Sequence, residues 1–103
     1  MHFLLFYDFT QDYVQRRTPF RGEHLRLAWG AQERGELVLA GALADPPDRA
    51  VLLFQGPDDR AARTFAQNDP YVKAGLVTQW TVRSWTTVVG DAAMTPVHPQ
   101  DCG

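Results

Sequence analysis

Three short segments of this chain are apolar on both faces at once, and that pattern narrows its fold more than any other feature. In His2 to Phe9, strand alternation puts Leu4 and Phe6 on one face and Phe3, Leu5, Tyr7 and Phe9 on the other. Glu36 to Leu43 sets Leu37, Leu39 and Leu43 against Val38, Ala40 and Ala42, and Ala50 to Gln55 sets Val51 and Leu53 against Leu52 and Phe54. An antiparallel sheet with one wet face alternates apolar and polar residues, and these segments do not. Both faces of the sheet therefore need cover. The 103 residues, 45% of them apolar, suffice for one domain with a real core and two helices to cover one face. The other face is expected to pack against the same face of a second copy, as in a closed α+β barrel, because soluble monomers seldom leave such a patch open.

The remaining signals place the helices between the strands in the order βαββαβ. Thr10 to Arg17 is polar and reads as a connection. Thr18-Pro19 reads as a helix start, with Thr18 as the cap and Pro19 in the first turn. Phe20, His24, Leu27, Ala28 and Ala31 then share one face, Gly22, Arg26 and Glu33 the other, and Gly35 ends the helix. Asp45-Pro46-Pro47-Asp48 is a rigid turn between the second and third strands. A second helix is expected from Pro57-Asp58-Asp59, whose acidic residues suit the positive end of the helix dipole, to Asn68. Asp69 is its boundary, since the residue before proline avoids helical geometry. Leu76 to Trp85 forms the fourth strand, with an extension to Val89 expected. The domain thus spans residues 1–90, and 91–103, rich in proline and small residues, is expected to be a flexible tail.

Charge excludes several partners. The net charge of −2 comes from 10 basic and 12 acidic residues mixed along the chain, and Lys73 is the single lysine. No basic cluster suits nucleic acid or an anionic membrane. The apolar run from Phe3 to Tyr7 is too short for a membrane span or a signal peptide, and the single Cys102 offers no internal disulfide, so a cytoplasmic location is expected. No phosphate loop, nucleophile elbow or dinucleotide fingerprint is present, and no cofactor is expected. His98 and Cys102 lie close in sequence but lack the further ligands of a metal site, so none is expected.

His24 is the foremost chemical candidate. At the centre of an apolar helix face, a titratable ring must either find a buried partner or open onto a cavity. Asp69 in Asn68-Asp69-Pro70-Tyr71 is a natural partner: a carboxylate accepting from one ring nitrogen fixes the tautomer and frees the other as a general base. Two plainer readings stand beside this one, a satisfied core histidine and a turn carboxylate before proline, and the separation in sequence does not choose between them.

A combination of motifs adds to this. Arg17-x3-Arg21-x2-His24-Leu25, Gly35-x-Leu37-x2-Ala40-Gly41, Asp69-Pro70-Tyr71-x2-Ala74-Gly75-Leu76-Val77 and Thr81-Val82-Arg83-x-Trp85 together resemble the YciI-like family across roughly residues 3 to 85. The resemblance implies a ferredoxin-like α+β fold, with a four-stranded antiparallel sheet and two helices on one face, assembled as a dimeric α+β barrel related to muconolactone isomerase. It implies that His24 and Asp69 form an active-site dyad. Most members have no established reaction, and one relative removes chloride from a hydroxylated, chlorinated aromatic. Ser84 stands where proline is frequent in relatives, a departure that touches strand geometry and not the dyad.

Arg17 and Arg21, about two turns and one turn before His24, could hold a carboxylate or phenolate, or could simply be solvated at a helix start. Tyr7, Asp8 and Tyr71 are further candidates to line a pocket, while Trp29, Trp80 and Trp85 read as core or interface aromatics. Three functions fit: a cofactor-free lyase, isomerase or dehydrochlorinase using His24 as acid and base; a non-catalytic domain that binds a small molecule; and a structural dimer with a satisfied buried histidine.

Overall fold

β1 (His2–Phe9), the most apolar segment, lies between two neighbours, as its two apolar faces require. The computed structural model describes residues 1–101. After β1 come α1 (Tyr13–Arg16), α2 (Thr18–Glu33), β2 (Leu37–Ala42), β3 (Arg49–Gln55), α3 (Arg60–Asn68), α4 (Pro70–Lys73) and β4 (Val77–Trp85). The strands pair antiparallel in the order β2-β3-β1-β4, the ferredoxin-like arrangement. Where a pair of helices is expected, the described residues form four α-helices, because two short ones, α1 and α4, accompany the long ones. Among the described residues no helix is long and apolar enough to cross a membrane.

The core lies between one sheet face and the helices. Phe3, Leu5 and Tyr7 of β1 and Leu52 and Phe54 of β3 are buried with Ala31 of α2, Ala62, Phe65 and Ala66 of α3 and Tyr71 of α4. The opposite face carries Leu4, Phe6, Val51 and Leu53, only partly buried, with Leu39 72% and Trp85 46% exposed. The faces of β1 and β3 follow simple alternation. In β2 the register shifts at Val38: Leu37 opposes Phe54, while Leu39 opposes Leu53. Leu37 therefore joins Ala40 and Ala42 on the helix side and Leu39 turns to the open face, correcting the expected grouping of Leu37 with Leu39.

Three other boundaries differ from expectation. Thr18 is the first residue of α2 and not its cap. The backbone is already helical through α1, the Arg17 amide donating to the Tyr13 carbonyl at 3.0 Å, so Arg17 takes the N-cap position without a side-chain cap. α3 starts at Arg60: Asp58 and Asp59 precede the helix, and the Asp58 carboxylate accepts from the Arg60 amide at 2.9 Å. β4 stops at Trp85 because Trp85 already opposes His2, where β1 begins, and no partner remains to extend the ladder to Val89. Gly35, at φ +78°, ends the turn after α2 in the left-handed region, as its place in the sequence requires.

Beyond β4 the chain is tied back to the sheet. The Thr87 hydroxyl is 2.8 Å from Nδ1 of the buried His2 and accepts from the Met94 amide at 2.9 Å. Thr95 and Val97 amides donate to the carbonyls of Thr87 and Val88.

Candidate active site

The tripeptide Asp69-Pro70-Tyr71 builds the centre of the site. Pro70 cannot continue α3, so Asp69 adopts an extended conformation (φ −70°, ψ 123°) and Pro70 opens α4. Asp69 then caps α4, its Oδ1 accepting from the Tyr71 amide at 3.0 Å. This geometry turns the carboxylate inward, where it is wholly buried.

Two side chains meet it there. Tyr7, on the helix-facing side of β1, donates its hydroxyl to Asp69 Oδ2 at 2.8 Å. His24, on the inward face of α2, places Nδ1 2.9 Å from each carboxylate oxygen. The buried carboxylate thus receives three donors, the condition under which a carboxylate is tolerated inside a protein. The His24 ring stacks on Tyr71 at 3.9 Å and 7° and meets Phe65 edge-on at 6.2 Å. Its Nε2 has no hydrogen-bond partner among the described residues, and the ring lines a cleft of about 600 Å³.

The cleft opens where α2 fails to cover the β2 end of the sheet. Leu37 to Ala42, Ala50 and Leu52 form one wall, and Arg17, Arg21, His24, Leu25, Ala28 and Trp29 of the α2 segment the other. Of the candidates from sequence, His24, Tyr7, Tyr71, Arg17 and Arg21 come together at this cleft, and Asp69 lies behind His24. Asp8 does not: its parity turns it to the other sheet face, where Arg49 Nε donates to it at 2.8 Å. Trp29, read as core or interface, is 64% exposed and lines the cleft, while Trp80 is partly buried against the core. Tyr13 is a site residue that the sequence reading missed. It is buried by α1, its ring stacked on Phe9 at 3.7 Å and 6°, and Arg17 Nη1 donates to its hydroxyl at 3.4 Å. The available signal was a lone aromatic in a polar connection, four residues from Phe9.

Among the described residues no three His, Cys, Asp or Glu side chains gather as metal ligands would. His98 bonds through its backbone amide to Asp101, and Cys102 lies outside the described residues.

The profile of the YCII-related domain matches residues 1–86. The chain belongs to the YCII-related family. Solved structures repeat the fold of this YCII-related chain. A 5-chloro-2-hydroxyhydroquinone dehydrochlorinase from Burkholderia phenoliruptrix AC1100, in complex with 2,5-dihydroxybenzoquinone, superposes with a TM-score of 0.70 at 20% identity, covering 84% of this chain and 95% of that one. A NIPSNAP family protein from Agrobacterium tumefaciens gives 0.56 at 15% identity over 90% and 95% of the two chains. An antibiotic biosynthesis monooxygenase gives 0.51 at 15% identity over 86% and 100%. Among curated proteins no sequence match was found.

Two tyrosines of the site hold their protons more tightly than usual. Burial first, then the charge of Asp69 and the hydrogen bond to it, push the Tyr7 phenol far above its ordinary value near 10. Burial and the adjacent Tyr13 hydroxyl push Tyr71 up to about 12, against the pull of Arg21 and Arg17. Above pH 10 an unfolded chain would release protons that Tyr7 and Tyr71 keep when folded, so their contribution to stability is full below about pH 10 and falls as the pH rises toward about 12. Denaturant midpoints measured across that window should decline with pH, and Tyr7→Phe should make the decline shallower. A decline equally steep in Tyr7→Phe would contradict this assignment.

Proposed function

We propose that the protein is a cofactor-free acid–base enzyme, a lyase or isomerase, acting on a small hydroxylated aromatic or similar planar anionic substrate. The observation that carries this reading is the asymmetry of His24: Nδ1 is held by the buried Asp69 carboxylate, while Nε2 has no partner among the described residues and its ring lines the cleft. An imidazole fixed in this way presents a lone pair to a bound molecule. Nε2 takes a proton from a C–H or O–H of the substrate, and the electron pair left behind either expels a leaving group or accepts the proton back at another carbon. Asp69 orients the ring and stabilises the imidazolium, and Tyr7 holds Asp69 in place. The apolar wall from Leu37 to Leu52 excludes water, and Arg17 and Arg21 supply positive charge for an anionic substrate. The fold shared with a dehydrochlorinase that binds a dihydroxybenzoquinone suggests where to begin a substrate search.

Chloride release from chlorinated hydroxyhydroquinones and isomerisation of small lactones make a suitable first panel. Turnover should fall by at least about 100-fold in His24→Asn, the usual scale of general acid–base catalysis. The substituted amide can still donate to Asp69, so the melting temperature should change little. Binding from this panel without turnover in the wild type would favour a non-catalytic ligand-binding domain. A His24→Asn variant that turns over at the wild-type rate would exclude the proposed base.

The same reading includes a cytoplasmic homodimer joined through the open sheet face. Its support is the row Leu4, Phe6, Val51, Leu53 and Leu39, which the helices leave without cover. Light scattering should give about twice the chain mass of 11.6 kDa. Leu4→Asp should yield a folded monomer, whereas Leu5→Asp, on the buried helix side, should unfold the chain. A wild-type monomer, or a Leu4→Asp dimer, would contradict this.

A further inference from the structure

The arginines of the chain are unevenly paired. Arg16, Arg26, Arg34, Arg49, Arg60 and Arg63 each pair with a carboxylate. Arg17 and Arg21 pair with none among the described residues, and both line the cleft. A third arginine without such a partner, Arg83, lies opposite Leu4 on the open sheet face. Two unneutralised guanidinium groups one turn apart, on a wall otherwise largely apolar, are a ready complement to an anion.

A phenol stands between them and His24. The rings of Phe9, Tyr13, Tyr71 and His24 form a continuous row, with successive centroid separations of 3.7, 5.7 and 3.9 Å. Arg17 donates to the Tyr13 oxygen, and its guanidinium carbon lies 5.3 Å from the centre of the Tyr13 ring. With its oxygen engaged as an acceptor from Arg17, Tyr13 has its own proton to give, and its ring lines the cleft.

We propose that Tyr13, Arg17 and Arg21 form an oxyanion subsite that takes the oxygen of a phenolate or enolate lying against the His24–Tyr71 stack. The inference rests on the proton-transfer reading above and extends it to the other end of the substrate. When Nε2 of His24 takes a proton from carbon, the C–H electron pair becomes a carbon–carbon double bond and the carbonyl pair settles on oxygen. The Tyr13 hydroxyl and the two guanidinium groups meet that negative charge with donors already in place, which is how such a site lowers a barrier. Tyr71, which keeps its proton up to about pH 12, remains a donor neighbour to Tyr13 and does not compete as a base. Tyr13 thereby acquires a reason to be held rigidly by its stack on Phe9.

Binding of 4-nitrophenol, followed by the absorbance of its phenolate, and of the neutral 4-nitroanisole tests the subsite without turnover. The wild type should bind the phenolate roughly 10-fold or more tighter than the ether and lower the probe's apparent pKa, as a hydrogen bond to a charged group implies. Tyr13→Phe keeps the ring stack and should lose about 10-fold in phenolate affinity while leaving the ether unchanged. Arg17→Gln should do the same. Equal affinity for the two probes, no binding of either, or an undiminished preference in Tyr13→Phe would overturn the proposal. The preference should persist in His24→Asn. Its persistence with no His24-dependent turnover would leave the subsite standing and remove the enzyme reading, and its absence beside His24-dependent turnover would do the reverse.

Discussion

A buried carboxylate with three donors is the constraint on which the rest of this site depends. Asp69 has no exposure to solvent, so its tolerance in the core rests on its donors Tyr7, His24 and the Tyr71 amide. Each donor comes from a different element: the central strand, the long helix and the short helix that Asp69 itself caps. The carboxylate therefore joins three parts of the fold and also orients the imidazole.

That arrangement couples stability to function in a specific way. Rim residues such as Arg21 and Trp29 can be altered with little effect on the core, whereas Leu37, Leu52 and the residues that touch Asp69 serve both. His24 does so directly: one nitrogen contributes to the structure and the other faces the cavity. The open β2 end of the sheet has a matching explanation. Ala40 and Ala42, on the helix side of β2, are small and α2 leaves them uncovered, so the apolar wall of the cleft is a stretch of strand that larger side chains would have filled.

Much of the fold was legible in the residues because strand parity and helix periodicity act locally. The faces of β1 and β3, the inward face of α2, Gly35 and the break at Asp69-Pro70 all followed from spacing and from proline and glycine chemistry. The bulge at Val38 was not legible, since Leu37, Val38 and Leu39 are all apolar and any register reads alike. α1 was missed because four residues carry no helical period, and Tyr13 is buried by a stack on Phe9 that only the tertiary fold creates. Trp29 borders the cleft and is not core, a difference the sequence does not show because an aromatic bordering a cleft looks the same there as one in a core. His24 and Asp69 were candidates from their local surroundings and from the family resemblance, and only the packing of α2 beside α4 brings them within 2.9 Å.

The central claim is that Asp69 holds His24 in the tautomer that leaves Nε2 unprotonated toward the cleft. Nitrogen-15 NMR of the His24 imidazole in its neutral form measures this directly. The neutral ring should carry its proton on Nδ1 and none on Nε2, with the preference lost in Asp69→Asn. A neutral ring protonated mainly on Nε2, or a tautomer unaffected by Asp69→Asn, would contradict it.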